Sequence, residues 1–271
     1  ADTTARLLAE RAECEHQCGN NAEAEGYFQH ALQAAPTVDE KITVCEQTIH
    51  FYTNLSRFAD AYSAARTGAQ LIGYSLPPKF IPPLFLADLA KARLMMRGRR
   101  IEELVNLPTM SQPRQLQLMK LMGAVAKAAY QIRPELCVAI ATKMVIESLR
   151  HGNAPDSVIG YLAYGVIFSG AVLGNHPVGH RYGVVTRALI DRFSNERQKA
   201  EVYFVGGYFG TSWMESATES ERLWEVAYQS GVEVGDLFHA GCACSGTAQS
   251  LLMRGHPFDD VQKTADRFLD F

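Results

Sequence analysis

An all-α fold, tetratricopeptide-like and built of antiparallel helix pairs wound into a right-handed superhelix, is what this chain predicts on three observations. Small and aromatic residues recur at matching places in two successive stretches near the amino terminus. Amphipathic runs separated by short Gly, Asn and Pro turns continue to the end of the chain. Strands are not expected, because the best candidate, Val202–Val205, lies inside a helical run.

The first unit sets the pattern. Leu8, Ala12, Gly19, Ala24, Phe28, Ala31 and Pro36 fall where a tetratricopeptide unit of roughly 34 residues needs them. Ala12 and Ala24 permit two helices to cross closely, Phe28 fills the space beside them, Gly19 allows a tight turn and Pro36 ends the second helix. A second unit repeats the pattern with Tyr52, Phe58, Ala61, Ala65 and Gly68, the last two small where an aromatic and an alanine are usual. Helices are therefore expected at about 3–18, 21–35, 38–54 and 57–73.

The prolines within Tyr74–Pro83 interrupt the array, since proline donates no helix hydrogen bond and biases its predecessor toward extended geometry. A helix from Leu84 to Arg97 ends at Gly98, a short one covers Ile101–Val105, and Ser111, with Pro113 just inside, starts a long helix to Ile132. Beyond it, helices are expected over about 134–151, 156–173, 177–193, 196–213, 218–232, 235–253 and 257–270. Gly152 marks a helix end, Pro155, Pro177 and Pro257 mark starts, and Thr218 with Glu221 forms a capping box. The expected organisation is one helical-repeat domain over 1–271, a fragment of a longer chain, with subregions 1–75 (two recognisable units) and 84–271 (degenerate helix pairs).

Composition narrows the function. The 271 residues are 47% hydrophobic and 20% charged, enough for a sizeable core. A formal net charge of -3 gives no drive toward nucleic acid or an anionic membrane, and no run approaches the ~20 apolar residues of a membrane span. Cys14, Cys18, Cys45, Cys137, Cys242 and Cys244 form no CxxC pair, and five of them sit among apolar or small neighbours, as buried thiols of a reducing, cytoplasmic compartment do.

Candidate chemistry is sparse. His176 and His180 are four apart, but no third ligand accompanies them, so no metal is expected. Cys242 and Cys244, two apart, point to different sides of a helix. Gly165–Gly170 has phosphate-loop spacing, yet Ala171 and Val172 stand where lysine and a hydroxyl are required, and Gly206–Gly210 has no strand before it. In both places the glycines are expected to let helices approach closely. Arg93, Arg97, Arg99 and Arg100 read as a positive helix end balanced by Glu102 and Glu103. No catalytic constellation and no cofactor site emerges, and the chain is not expected to be an enzyme.

The remaining candidate is a groove. The first helix of each tetratricopeptide unit lines the concave surface, and phasing by the alanines puts Arg6, Glu13, His16 and Gln17 there from the first unit, with Thr43, Glu46, His50 and Asn54 from the second. These suit a peptide segment or a neighbouring domain. The alternative is a small-molecule effector sensor regulating an attached ATPase or kinase, with Tyr130, Tyr161, Tyr164, Phe168, Tyr203, Phe204 and Tyr208 lining a pocket, although stack core is the favoured reading of the same aromatics.

The runs Arg97–Met110, Lys143–Val145, Ser148–Asn153, Tyr161–Gly165, Leu173–Gly174 and Gly231–Asp236 resemble the helical region of large multidomain signalling proteins. These are the trifunctional serine/threonine kinase, ATP-binding and sensor histidine kinase proteins of bacteria, with similar hybrid kinases in fungi. The resemblance covers about 90–240 and rests on structural punctuation. It implies a noncatalytic connector between a nucleotide-switch ATPase and a sensor-kinase output, with phosphotransfer left to domains outside these residues.

Overall fold

The computed structural model describes residues 2–269. Every regular element among them is helical, and the one extended feature is an isolated bridge between Thr109 and Asn153. The elements divide into two compact units, one formed by the residues up to Met95 with Pro108–Asp156, the other by Met96–Leu107 with the residues from Ser157 onward. The proline-rich stretch 74–83 lies inside the first unit.

In the first unit, α1 (Asp2–Gln17) pairs with α2 (Asn21–Ala34) and α3 (Val38–Asn54) with α4 (Phe58–Leu71). Ala9, Ala12, Ala24 and Ala31 are buried at the first crossing, where Phe28 and Phe51 meet with ring centroids 5.2 Å apart. Alanine at these places removes the bulk that would hold two helices apart, and the two phenylalanines fill what remains. Thr37 caps α3, its hydroxyl accepting from the Glu40 N–H.

The third helix pair is not formed by the next helix in sequence. α5 (Pro82–Met96) does not continue the stack; α6 (Pro113–Ile132) packs on α3 and α4, and α7 (Pro134–His151) pairs with α6. Pro113 alone opens α6, with Gln112 at the cap, so Ser111 does not serve there. Gly68 explains the choice of neighbour: a Cβ there would stand 3.0 Å from the Leu121 side chain, and the small residue in α4 is the seat for α6. α5 is tethered by buried Ala92 and by Lys143, which donates to Asp88 over 2.8 Å, while Leu84, Leu86 and Leu94 stay exposed. Its apolar residues do not gather into one stripe, so no single face drives it onto the stack. The loop before α5 is pinned instead by Tyr62, whose hydroxyl donates to the Pro77 carbonyl, and by buried Leu76.

The second unit contains a 3-10 segment (Ile101–Asn106), α8 (Ser157–Tyr161), α9 (His176–Phe193), α10 (Glu196–Val205), α11 (Ala217–Val234), α12 (Leu237–Met253) and α13 (Phe258–Leu269). Two stretches expected to be plain α-helix are not. α8 opens into a π-helix over Leu162–Val172, and α10 into a π-helix over Gly206–Gly210 followed by a 3-10 turn, Thr211–Trp213. Both π-helices pack on α9. A Cβ on Gly170 would lie 2.7 Å from the Gly179 Cα, and one on Gly165 would lie 2.0 Å from Tyr182. Residues five apart diverge on an α-helix, and the wider π turn returns Gly165 and Gly170 to one face. The carbonyls loosened by the widening find side-chain donors: Ser169 donates to Tyr164 O, and Ser212 and Ser220 both donate to Gly207 O. α11 is capped by Ser216, which accepts from the Glu219 N–H, rather than by Thr218.

The glycine seam predicts a contrast. Gly179→Val forces a side chain into backbone and should destabilise the protein by about 1–3 kcal/mol, whereas Gly26→Ala, in a helix interior with open space around it, should stabilise it by about 0.4–1 kcal/mol. Urea unfolding midpoints of the two variants measure both.

Candidate functional site

Three first helices, α1, α3 and α6, lie side by side in the first unit. Gln47 on α3 donates to Glu13 on α1 over 2.9 Å, and Lys120 on α6 lies 3.3 Å from Glu46 on α3. Between α1 and α3 opens a cleft of ≈ 250 Å³ with Ala5, Ala9 and Val44 as apolar lining and Arg6, Glu40, Thr43 and Gln47 as polar lining.

The eight residues phased onto this face by sequence are distributed as follows. Arg6 and Thr43 share the cleft, and exposed Glu13 bridges to its wall through Gln47. Gln17 and Asn54 are exposed near the other end of the same helices. His16 is partly structural, with Nδ1 2.7 Å from Asn21 Oδ1 and its ring edge-on to Phe51. Glu46 is turned toward α6, and His50 is half-buried. Sequence phasing missed Gln47 and Lys120, the second because only the first two units were phased; the glycine at position 68 was the available signal.

Polar clamps hold the pairs in register. Arg57, at the start of α4, reaches Glu25 on α2 at 2.5 Å, and the Tyr52 hydroxyl donates to the same carboxylate over 2.8 Å. The Arg57 hydrogen bond lowers the Glu25 pKa below its ordinary 4.5, with burial opposing and Tyr52 assisting. Burial first, then the Glu25 bond, pushes the Tyr52 hydroxyl up to about 12. In the second unit Arg181 forks onto Glu102 at 2.6 and 2.8 Å, tying α9 to the 3-10 segment and lowering the Glu102 carboxyl to about 2.

A larger cavity, ≈ 610 Å³, opens in the second unit. The second π-helix and its 3-10 turn supply Tyr208, Ser212 and Trp213; α11 supplies Ser220 and Trp224; α12 supplies Gln249, and Arg254 follows at its C-cap. Trp224 is held flat between two glycines, since a Cβ on Gly207 would approach its Nε1 to 2.8 Å and one on Gly246 its ring to 3.3 Å. Its N–H donates to the Phe204 carbonyl. His176 stacks on Trp213 at 4.6 Å, with its Nδ1 buried and making no hydrogen bond. Both tryptophans of the chain line this cavity.

Other sequence candidates resolve individually. His180 engages Glu215 at 2.5 Å, so the two histidines take separate partners, and no group of three or more His, Cys, Asp or Glu among the described residues could hold a metal ion. The expectation of five buried cysteines is corrected: Cys45 and Cys137 are buried, Cys242 and Cys244 half-buried, and Cys14 and Cys18 exposed. Burial pushes the Cys45 thiol up to about 11. Of the aromatics proposed for a pocket, Tyr161 and Tyr164 are core, Tyr130 is exposed, and Tyr208 alone lines the cavity. Arg187 inserts its guanidinium beside Gly183 and Gly206, where burial lowers its pKa.

No family model matches the chain, and no curated protein matches it in sequence. Among solved structures it is similar to a Signal Transduction ATPase with Numerous Domains (STAND) protein with a tetratricopeptide repeat sensor from Pyrococcus horikoshii, at 11% identity and a TM-score of 0.41. That match covers 97% of this chain, which spans 42% of the other protein's length. The all-α architecture of paired helices is read from the elements themselves. No helix among the described residues is long and apolar enough to cross a membrane.

The Glu25 clamp makes a pH prediction. A depressed carboxyl contributes stability that is complete above its ordinary pKa of 4.5 and is lost as pH falls through the lower folded value. Glu25→Gln should therefore cost up to about 1 kcal/mol near pH 7 and flatten the decline of the unfolding midpoint between about pH 5 and 3. Urea titrations of parent and variant at those pH values check it.

Proposed function

We propose that this chain is a noncatalytic interaction scaffold within a larger cytoplasmic signalling protein, holding an extended protein segment or a neighbouring domain along the face formed by α1, α3 and α6. The cleft between α1 and α3 carries this reading. Apolar Ala5, Ala9 and Val44 offer a seat for a side chain, and Arg6, Thr43 and Gln47 offer donors and acceptors beside it. A segment in extended form needs that combination, because its own backbone groups require partners while its side chains require pockets. The wider setting, a connector between an ATPase and a sensor-kinase output, follows from the resemblance of the motifs in 97–236.

Thr43 is exposed and can be enlarged without disturbing the core. Peptides selected on an array against the protein and then measured by calorimetry should bind parent protein with micromolar affinity. Thr43→Trp should weaken them about tenfold or more, with the circular dichroism spectrum unchanged. Equal affinity for Thr43→Trp and for Arg6→Ala would move the binding site off this face.

A further inference from the structure

We propose that the cavity of the second unit is a binding site for a planar aromatic carboxylate. This inference is independent of the α1–α3 cleft, which lies in the other unit.

Size, shape and charge each contribute. A volume of ≈ 610 Å³ falls within the range of small-molecule sites, roughly 300–1,000 Å³. One wall is fixed: Trp224 is held between Gly207 and Gly246, is 5% exposed and donates its only N–H to Phe204 O, so that wall needs no further ordering. Trp213 is 64% exposed, a large apolar surface left in water at the same cavity. The flat, exposed indole of Trp213 favours a flat partner, since aromatic pairs gain from offset or edge-on contact beyond the area they cover.

The polar groups set the rest of the chemistry. No Asp or Glu lines the cavity among the described residues, and Arg254 is its one arginine or lysine. Glu221 grips Arg254 through Nη1 alone, at 2.9 Å to each carboxylate oxygen, and also accepts from Ser250. The guanidinium is thereby oriented while its Nε and Nη2 carry no hydrogen bond among the described residues. That remaining edge matches a carboxylate in the two-pronged geometry arginine favours.

The probe is 2-naphthoate, with uncharged 2-naphthalenemethanol beside it. Calorimetry should give a saturable isotherm for 2-naphthoate with a dissociation constant below about 1 mM. In protein labelled with 5-fluorotryptophan, the two fluorine resonances report the two walls separately, and both should shift. Arg254→Gln should weaken 2-naphthoate about tenfold and leave 2-naphthalenemethanol within about twofold. Ala217→Phe, at the start of α11 in the cavity lining, should abolish both. Absence of saturable binding up to about 5 mM, a shift confined to Trp213, or equal affinity of Arg254→Gln for the acid would each overturn the proposal. Thr43→Trp should leave the acid's affinity unchanged, which separates this site from the cleft of the first unit.

Discussion

The second unit depends on backbone meeting backbone at α9. Gly170 and Gly179 come so close that neither can carry a side chain, and Gly210 approaches the Gly179 carbonyl from another segment. Contact this tight requires glycines on one face of each partner, and the spacing in 162–172 meets that only with a widened turn. The widening then dictates the polar pattern around it. Ser169, Ser212, Ser220 and Trp224 donate to carbonyls that regular α-helix would have used. The cavity follows from the same constraint, because the second π-helix ends in the 3-10 turn that presents Ser212 and Trp213.

The first unit solves the same problem with alanine. Ala12, Ala24 and Ala31 keep a Cβ at each crossing, so the helices approach less closely and remain α-helical throughout. Register comes from side chains at the periphery: Arg57 on Glu25, Gln47 on Glu13 and Lys120 on Glu46 each join one helix to another. Such half-exposed pairs contribute little individually to stability. Their value is geometric, since they fix which polar groups remain along the face of α1, α3 and α6.

Helix number and helix ends were legible in the sequence to within a few residues, because proline and glycine act locally. Pro113, Pro134, Pro177 and Gly152 each stand at a boundary seen in the structure. What depends on distant partners was not legible. An apolar pattern of a few residues fits α- and π-helix alike, so the widened turns at 162–172 and 206–210 left no trace beyond their glycines. Two overlapping capping patterns, Ser216 with Glu219 and Thr218 with Glu221, compete at α11; Arg222 engages Glu219, whereas Glu221 is taken by Arg254 and Ser250. The pairing of α6 rather than α5 with the second repeat turned on the single small residue Gly68. For the candidate sites, repeat phasing placed Arg6 and Thr43 in one cleft, but the larger cavity draws on segments from 171 to 254 that no local pattern relates.

The chain visits the two units in alternation: it leaves the first at Met95, contributes Met96–Leu107 to the second, returns for Pro108–Asp156, and departs again at Ser157. The return is fastened by Met110 N–H to Asn153 O and Asn153 N–H to Pro108 O, both 2.8 Å, beside Gly152, where the φ of 94 is strained for any side chain and a Cβ would stand 2.1 Å from the Pro108 carbonyl oxygen. Neither unit is thus a contiguous stretch of gene. A single cut after Asp156 would carry Met96–Leu107 away with the first unit and strip the second of its 3-10 segment and of Glu102, the partner of Arg181.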